Sequence, residues 1–168
     1  DLGMIDGDYY ANCAAIGLAP LIAETVPHGL KRWLGRTGYL MWAAVSLFRF
    51  RAFTLIVDGE RMDATEVRIA NGKFQGGTEL IDDADPQSGE LVVQAVIGRT
   101  RFSLLKSWTA STLRLPWRRT LTQEFHGRDM RIETIPPLPI SIDGEVLAHT
   151  PVTARVAARV IEMALPQV

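Results

Sequence analysis

The stretch FTLIVDGERMDATEVRIANG, residues 53–72, decides the predicted fold because it contains the clearest β-hairpin pattern in the chain. Every second residue from Phe53 to Val57 is a large apolar one, which is the period of a strand with one buried face. The dipeptide Asp58-Gly59 follows and favours a tight hairpin turn. Alternation resumes at Val67 and Ile69, so we predict two antiparallel strands joined by this turn.

Most of the remaining chain also has the pattern of strands. Residues 91–97 form a short apolar run typical of a strand buried on both faces. Further extended segments are predicted within residues 1–23, 130–135, 138–142 and 152–163, with Pro136, Pro137 and Pro139 limiting which positions can join a ladder.

Two segments have helical spacing instead. Residues 28–50 predict a pair of helices divided near Gly35 and Gly38, and residues 101–113 predict one more helix. The apolar face of that last helix is assigned to Phe102, Leu105, Trp108 and Leu113. Because strands and helices do not alternate regularly, we predict a mainly β (α+β) fold rather than a doubly wound parallel sheet.

The chain has 168 residues and a mass of 18.6 kDa, which indicates one globular domain with a substantial core. Its formal net charge of -1 gives no reason to expect nucleic acid as a partner. The single cysteine, Cys13, lies in an apolar setting and is expected to be a buried, inert thiol in a reducing, cytoplasmic compartment. The uncharged run 39–48 is too short to span a bilayer. Because the chain begins at Asp1 without a leader pattern, we expect it to be part of a longer protein.

Several familiar site motifs are absent from the sequence. The three histidines, His28, His126 and His149, have no partners at zinc-binding spacing, so no metal site is predicted. The glycine-rich segment 71–78 places its lysine before the glycine pair, which is the wrong order for a phosphate-binding loop. These glycines are therefore interpreted as turn residues, and no cofactor-binding residue is assigned.

The tripeptide Asp143-Gly144-Glu145 is the main catalytic candidate and has two interpretations. Carboxylates at positions i and i+2 of a strand end point to one side and can together orient and deprotonate a hydroxyl group. The same tripeptide is also typical of a hairpin turn with a solvated glutamate, and spacing alone favours the turn. The identical tripeptide Asp58-Gly59-Glu60 is interpreted as a turn only.

Basic residues are concentrated in the two helical segments, which also contain all four tryptophans. Five basic residues lie between Glu24 and Asp58 and six between Glu90 and Glu124, with no acidic residue in either interval. Such segments suit an anionic membrane surface, where tryptophan sits at the headgroup level. The alternative is a pair of solvated helix faces with tryptophans in the core.

The order of these patterns resembles the C-terminal domain of the bacterial diacylglycerol kinase and sphingosine kinase-related lipid kinases. The similarity extends over nearly the whole chain. The matching pieces, in chain order, are Asp1-Leu2-Gly3, Tyr10-Ala11-Asn12, Ile16-Gly17, residues 31–39 with Gly35, Val57-Asp58-Gly59-Glu60, Asn71-Gly72 with Gly76-Gly77, residues 84–93, Ile142-Asp143-Gly144-Glu145 and Thr150-Pro151.

The resemblance implies a β-sandwich-like, lipid-binding C-terminal domain, residues 1–168, of a two-domain kinase that uses ATP and Mg²⁺. It implies that Asp143, with Glu145, removes the proton from the hydroxyl of a diacylglycerol-like lipid. It also implies that Asp1 lies near the magnesium and phosphates. Peripheral association with an anionic membrane is expected. A non-catalytic lipid-binding module is the alternative.

Two features depart from the family pattern. Ser88 stands where the family has an aspartate that ligates a structural magnesium, so that site is expected to be weakened or lost unless Asp85 compensates. Thr78 replaces the third glycine of a family triplet. In addition, the N-terminal nucleotide-binding half, with its Gly-Gly-Asp-Gly signature, does not occur in these residues. Because phosphoryl transfer requires a phosphate cradle, the chain alone is expected to be inactive.

Overall fold

A computed structural model describes residues 1–25, 50–75, 78–79 and 81–161. The strands are β1 (Leu2–Ile5), β2 (Asp8–Tyr10), β3 (Cys13–Ile16), β4 (Phe53–Val57), β5 (Glu60–Ala70), β6 (Phe74–Gln75), β7 (Thr78–Glu79), β8 (Leu91–Ile97), β9 (Thr122–Gly127), β10 (Asp129–Ile135), β11 (Pro139–Ile142), β12 (Glu145–His149) and β13 (Val152–Ala157). The helices are α1 (Leu18–Thr25), α2 (Arg101–Thr112) and a 3-10 helix (Pro116–Leu121). Nearly all of the helix pair predicted at 28–50 lies outside the described residues.

Within the described residues, eleven strands form one antiparallel sheet, and β6 and β7 form a separate small hairpin. The main path of the sheet is β12-β11-β3-β5-β4-β10-β13-β1-β2, and β8 pairs with both β5 and β9. The first part of β5 pairs with β4, whereas its second part pairs with β3 and β8. The long strand β5 thus belongs to two arms of the sheet.

The main hydrophobic core lies between these two arms. It joins Leu55 of β4 and Ile132 of β10 from one arm to Ile16 of β3, Val93 of β8 and Ile140 of β11 from the other. All five side chains are fully buried. The sandwich-like, mainly β class predicted from the sequence is confirmed.

The β-hairpin predicted around Asp58-Gly59 is also confirmed, and it is formed by β4 and β5. Val57 pairs with Glu60, and between them Asp58 and Gly59 have φ values of +48° and +91°. Positive φ at both central residues is the requirement of a type I′ turn, which the Asp-Gly dipeptide meets at low cost. The predicted strand at 91–97 is likewise present, and its first six residues are buried.

The predicted face of the helix at 101–113 is wrong. Phe102, Leu105 and Leu113 are 74%, 40% and 64% exposed, whereas Leu104 is fully buried. Only Trp108 of the predicted set packs inward, beside Leu104.

The cause lies beneath the helix, where the sheet surface is polar. The buried guanidinium of Arg68 donates to Gln94 Oε1 at 2.8 Å and to Glu66 Oε2 at 3.1 Å. Trp108 Nε1 donates to the same Glu66 oxygen at 2.6 Å. The inner side of the helix therefore carries the buried Ser107 and Ser111 and the indole N–H that binds Glu66, rather than a purely apolar face.

The other segments predicted to be extended do contain strands, but some of their predicted boundaries are wrong. Strand β13 ends at Ala157, short of the predicted end at Met163, which lies outside the described residues. The first 23 residues contain three short strands followed by the start of α1. Within the described ranges, no helix is long and apolar enough to cross a bilayer.

Candidate functional site

The candidate site lies where three neighbouring strands reach the same end of the sheet. Cys13 at the start of β3 pairs with Ala70 at the end of β5, and Ala14 pairs with Ile142 at the end of β11. The three loops that continue from these ends therefore meet, although they are far apart in sequence. Asp143 lies in the loop that follows β11.

Asp143 lies in a type I′ turn and not on a strand. Asp143 and Gly144 have φ values of +44° and +98°. The interpretation in which Asp143 and Glu145 both stand at a strand end and point to one side is therefore wrong for Asp143, and the hairpin turn that spacing alone favoured is present. Glu145 is instead the first residue of β12 and is exposed.

The Asp143 carboxylate is held by the backbone of the neighbouring loop. Its Oδ2 accepts a hydrogen bond from Ala11 N at 3.0 Å, and its Oδ1 accepts one from Cys13 N at 3.4 Å. The main chain adds a bond from Asp143 N to Cys13 O at 3.3 Å. A carboxylate has about four acceptor positions, so two such donors leave capacity for an incoming hydroxyl. The residue is exposed, which makes that capacity accessible.

Asn71 connects Asp143 to Asp1. The buried Nδ2 of Asn71 donates to the carbonyl oxygen of Asp1 at 3.0 Å and to that of Ala11 at 2.9 Å. The amide N–H of Ala11 is the one that holds Asp143. Two of the three predicted site residues, Asp1 and Asp143, are thus brought into one hydrogen-bond network.

The Asp1 side chain faces a second group of loops. Its Oδ1 accepts from Arg159 N at 2.9 Å, and the main-chain nitrogen of Asp1 donates to Pro86 O at 3.0 Å. A side-chain carbon added at Gly89 would lie 3.9 Å from Asp1 Oδ2 and 3.7 Å from Arg128 Nη2. A carboxylate oxygen and a guanidinium therefore border the same glycine.

The loop 85–90 beside Asp1 is closed by its own hydrogen bonds. Ser88 Oγ donates to Asp85 O at 2.7 Å and accepts from Glu90 N at 3.2 Å. Asp85 Oδ1 accepts from Gln87 N at 2.9 Å. In the part of the chain that the structure describes, no group of three or more His, Cys, Asp or Glu side chains could hold a metal ion.

Two further titratable groups lie behind the Asp143 turn. Burial raises the pKa of Cys13 to about 12, with a smaller opposing effect of Arg68. Burial also raises the pKa of Tyr10, and the nearby Cys13 and Asp143 add to this effect. Both groups are therefore protonated at neutral pH, whereas the Asp143 carboxylate beside them is exposed to solvent.

Sequence reasoning missed Asn71 and Arg128. Asn71 stands in an Asn-Gly pair, which was interpreted as turn chemistry and as one piece of the family resemblance, with no role assigned to the side chain. Its burial could not be anticipated, because its two acceptors lie 60 and 70 residues away along the chain. No sequence pattern marked Arg128 as a site residue. It is an exposed arginine between β9 and β10.

Comparisons with known proteins agree with this fold. A "Putative lipid kinase" of Staphylococcus aureus strain Newman is 27% identical over 170 residues, and one of Staphylococcus haemolyticus is 26% identical. Each alignment covers 97% of this chain but 55% of the relative, so the chain spans about half the length of the curated relatives it matches.

Solved structures show the same architecture. A crystal structure described as "a putative diacylglycerol kinase" from Bacillus anthracis matches with a TM-score of 0.67 and 18% identity, over 92% of this chain and 52% of that one. A second diacylglycerol kinase structure from the same organism gives a TM-score of 0.59. At this identity, the likeness concerns the fold.

The family itself is defined by a domain pattern that covers most of the chain. The "YegS C-terminal NAD kinase beta sandwich-like domain" pattern matches residues 14–165, which include Asn71, the turn at Asp143 and all of the strands from β4 to β13. The relatives of this chain cited above are named as putative lipid kinases, and the similar solved structures as diacylglycerol kinases. This chain therefore belongs to the family of YegS C-terminal NAD kinase beta sandwich-like domains.

Proposed function

We propose that this chain is the C-terminal domain of an ATP-dependent lipid kinase and that it supplies the acceptor side of the reaction. The supporting observation is the Asn71 network, which connects the Asp143 carboxylate to Asp1 across three loops. The lipid kinase names of the relatives favour a lipid hydroxyl as acceptor, with diacylglycerol as the first candidate. The residues that bind the nucleotide belong to another domain of the longer protein in this proposal.

Asp143 is the proposed general base. Its two backbone donors fix the direction of the carboxylate, and its remaining acceptor positions face solvent. A base held within hydrogen-bond reach of a hydroxyl removes the proton as the oxygen attacks phosphorus. Glu145, two residues later at the start of β12, is proposed to orient the same hydroxyl.

Asp1 is proposed to face the phosphates. Bound ATP with Mg²⁺ would supply the phosphoryl group and neutralise its charge during transfer. Asp1 offers one carboxylate beside Gly89, and the nucleotide-binding domain is proposed to supply further ligands for the metal and the phosphates. Arg128 borders the same glycine and is proposed to attract an anionic group to this position.

The second candidate function is a non-catalytic lipid-binding module. It is favoured by the type I′ turn, because the hydrogen bonds to Asp143 also explain that residue as a purely structural aspartate. Asp58 shows that such a role exists in this chain, since it lies in an identical tripeptide and accepts from Arg131 N at 2.8 Å.

Phosphoryl transfer separates the two candidates. The full-length protein is incubated with labelled ATP, Mg²⁺ and diacylglycerol in detergent micelles, and the labelled lipid phosphate is quantified after chromatography. The kinase proposal expects labelled phosphatidic acid from the full-length protein and none from residues 1–168 alone. Lipid binding by both proteins without any labelled product, across a panel of lipid alcohols, would establish the binding module instead.

A further inference from the structure

Two arginines of this domain are held near Asp1 by main-chain hydrogen bonds. Arg159 N donates to Asp1 Oδ1 at 2.9 Å, so the side chain of Arg159 begins next to that carboxylate. Arg128 is fixed through its carbonyl oxygen, which accepts from Val156 N at 2.9 Å. Because Val156 pairs with Gly3 across β13 and β1, this bond places Arg128 about two strand spacings, or roughly 10 Å, from β1.

The guanidinium of Arg128 extends from that position towards Asp1. A side-chain carbon added at Gly89 would lie 3.7 Å from Arg128 Nη2 and 3.9 Å from Asp1 Oδ2, so the two groups border one small space. In the part of the chain that the structure describes, no ion pair joins Arg128 to Asp1, or to Asp85 and Glu90 in the loop of Gly89. The N–H donors of this guanidinium are therefore available to a ligand.

Arg159 has the same property, and it distinguishes both residues from other arginines of the domain. Arg128 and Arg159 are exposed, and neither has an acidic partner among the described residues. Six arginines elsewhere in the described ranges are ion-paired, namely Arg68, Arg99, Arg118, Arg119, Arg131 and Arg155. A guanidinium presents a planar fork of donors that matches the oxygens of a phosphate group. Two such groups beside Asp1 therefore suit an anion with several oxygens.

We propose that Arg128 and Arg159 bind the phosphate chain of the phosphoryl donor. The inference rests on the proposed function, because it assigns a ligand to the position at which Asp1 is proposed to face the phosphates. The Asp1 carboxylate alone would repel a polyphosphate, and the two guanidiniums more than offset its charge. Guanidinium groups that contact a phosphate under transfer also neutralise the charge that develops there. This domain thus contributes one side of the phosphate site, and the nucleotide-binding domain contributes the other.

Binding of inorganic tripolyphosphate to the full-length protein tests this assignment without lipid or turnover. Calorimetry at fixed ionic strength gives the Kd of the parent, of Arg128→Gln and of Arg159→Gln. Each substitution removes a charge-assisted contact with phosphate and is expected to weaken binding about tenfold. Both side chains are exposed, so the melting temperature of the protein without tripolyphosphate should stay near the parent value.

The matched control is Arg61→Gln. Arg61 is an exposed arginine of β5 that also has no ion pair among the described residues. Strands β4, β10 and β13 separate β5 from β1, which corresponds to about 19 Å across the sheet. Its replacement changes the net charge by the same amount and is expected to leave the Kd for tripolyphosphate at the parent value.

Three results would overturn the assignment. The first is a parent protein that does not bind tripolyphosphate, and the second is a Kd of both variants equal to that of Arg61→Gln. The third is a lowered melting temperature of Arg128→Gln and Arg159→Gln with an unchanged Kd. That result would mean that the two arginines pair with acidic side chains of the nucleotide-binding domain instead of with phosphate.

Steady-state kinetics separate this inference from the proposed function. If the parent phosphorylates diacylglycerol, both variants should raise the KM for ATP about tenfold and leave the KM for the lipid unchanged. A parent that makes phosphatidic acid, with variants that keep its KM for ATP and its Kd for tripolyphosphate, would refute the arginine site while the kinase proposal stands. Tripolyphosphate binding that depends on both arginines, in a protein that phosphorylates no lipid alcohol, would support the phosphate site and refute the lipid kinase.

Discussion

Replacement of Asn71 by alanine should lower both the stability of the domain and the lipid kinase activity proposed for the full-length protein. The substitution removes two hydrogen bonds, from Nδ2 to Asp1 O at 3.0 Å and to Ala11 O at 2.9 Å. Asn71 is buried, so water does not readily replace these donors. At about 0.5–1.5 kcal/mol for each bond, the free energy of unfolding should fall by about 1–3 kcal/mol. For a domain of this size, the melting temperature should fall by about 2–12 °C.

The effect of Asn71→Ala on turnover should exceed what the loss of stability explains. Without the bond to its carbonyl, Ala11 is less firmly placed, and its N–H is one of the two donors that orient Asp143. A small displacement of a catalytic group lowers the rate by up to about 100-fold. The KM for the lipid should change much less, because Asn71 acts as a positioning residue and not as a lipid contact.

The measurements are chemical unfolding of the domain and steady-state kinetics of the full-length protein well below its melting temperature. Asn12→Ala is the matched control, since Asn12 is exposed and its main-chain oxygen keeps the bonds from Asn71 N and Gly72 N. The control should behave as the parent protein does. The reasoning would be refuted by an Asn71→Ala protein that unfolds and turns over like the parent.

Three other predictions concern the core. Glu66→Ala leaves the buried Arg68 without its counterion and should cost about 3–5 kcal/mol in chemical unfolding, whereas a cost below 1 kcal/mol would mean that Arg68 is solvated. Gly3→Ala would place a carbon 2.1 Å from the Tyr10 ring and should lower the melting temperature, with unchanged near-ultraviolet circular dichroism arguing against displacement of the ring. Because its pKa is about 12, Cys13 should react with a thiol reagent at pH 8 only after denaturation, and rapid labelling of the native chain would contradict its burial.

Local patterns in the sequence were enough to predict much of the sheet. The hairpin around Asp58-Gly59 and the buried strand at 91–97 follow from neighbouring residues, because turn chemistry and hydrophobic period act over short distances. The turn at Asp143 was one of two interpretations, and both depended on the same three residues. The conformation is now visible as a turn, while the role of its carboxylate stays a prediction.

The errors came from contacts between distant parts of the chain. The face of α2 was assigned from its apolar residues, but the sheet beneath it carries Glu66, Arg68 and Gln94, whose network the sequence did not disclose. Ser111 lines a small polar cavity with Gln94 on that inner side. Apolar periodicity identifies the core face only when the opposing surface is apolar, and here it is not.

The most direct test of the acceptor-side proposal compares Asp143→Asn with Asp58→Asn in the full-length protein. Both aspartates stand in the same tripeptide and the same type of turn, and both accept backbone hydrogen bonds, so the two substitutions should perturb the fold alike. If Asp143 is the general base, its replacement lowers kcat for the lipid by about 100- to 10,000-fold, and the replacement of Asp58 leaves kcat near the parent value. Equal kcat values for the two variants would show that Asp143 serves the turn alone.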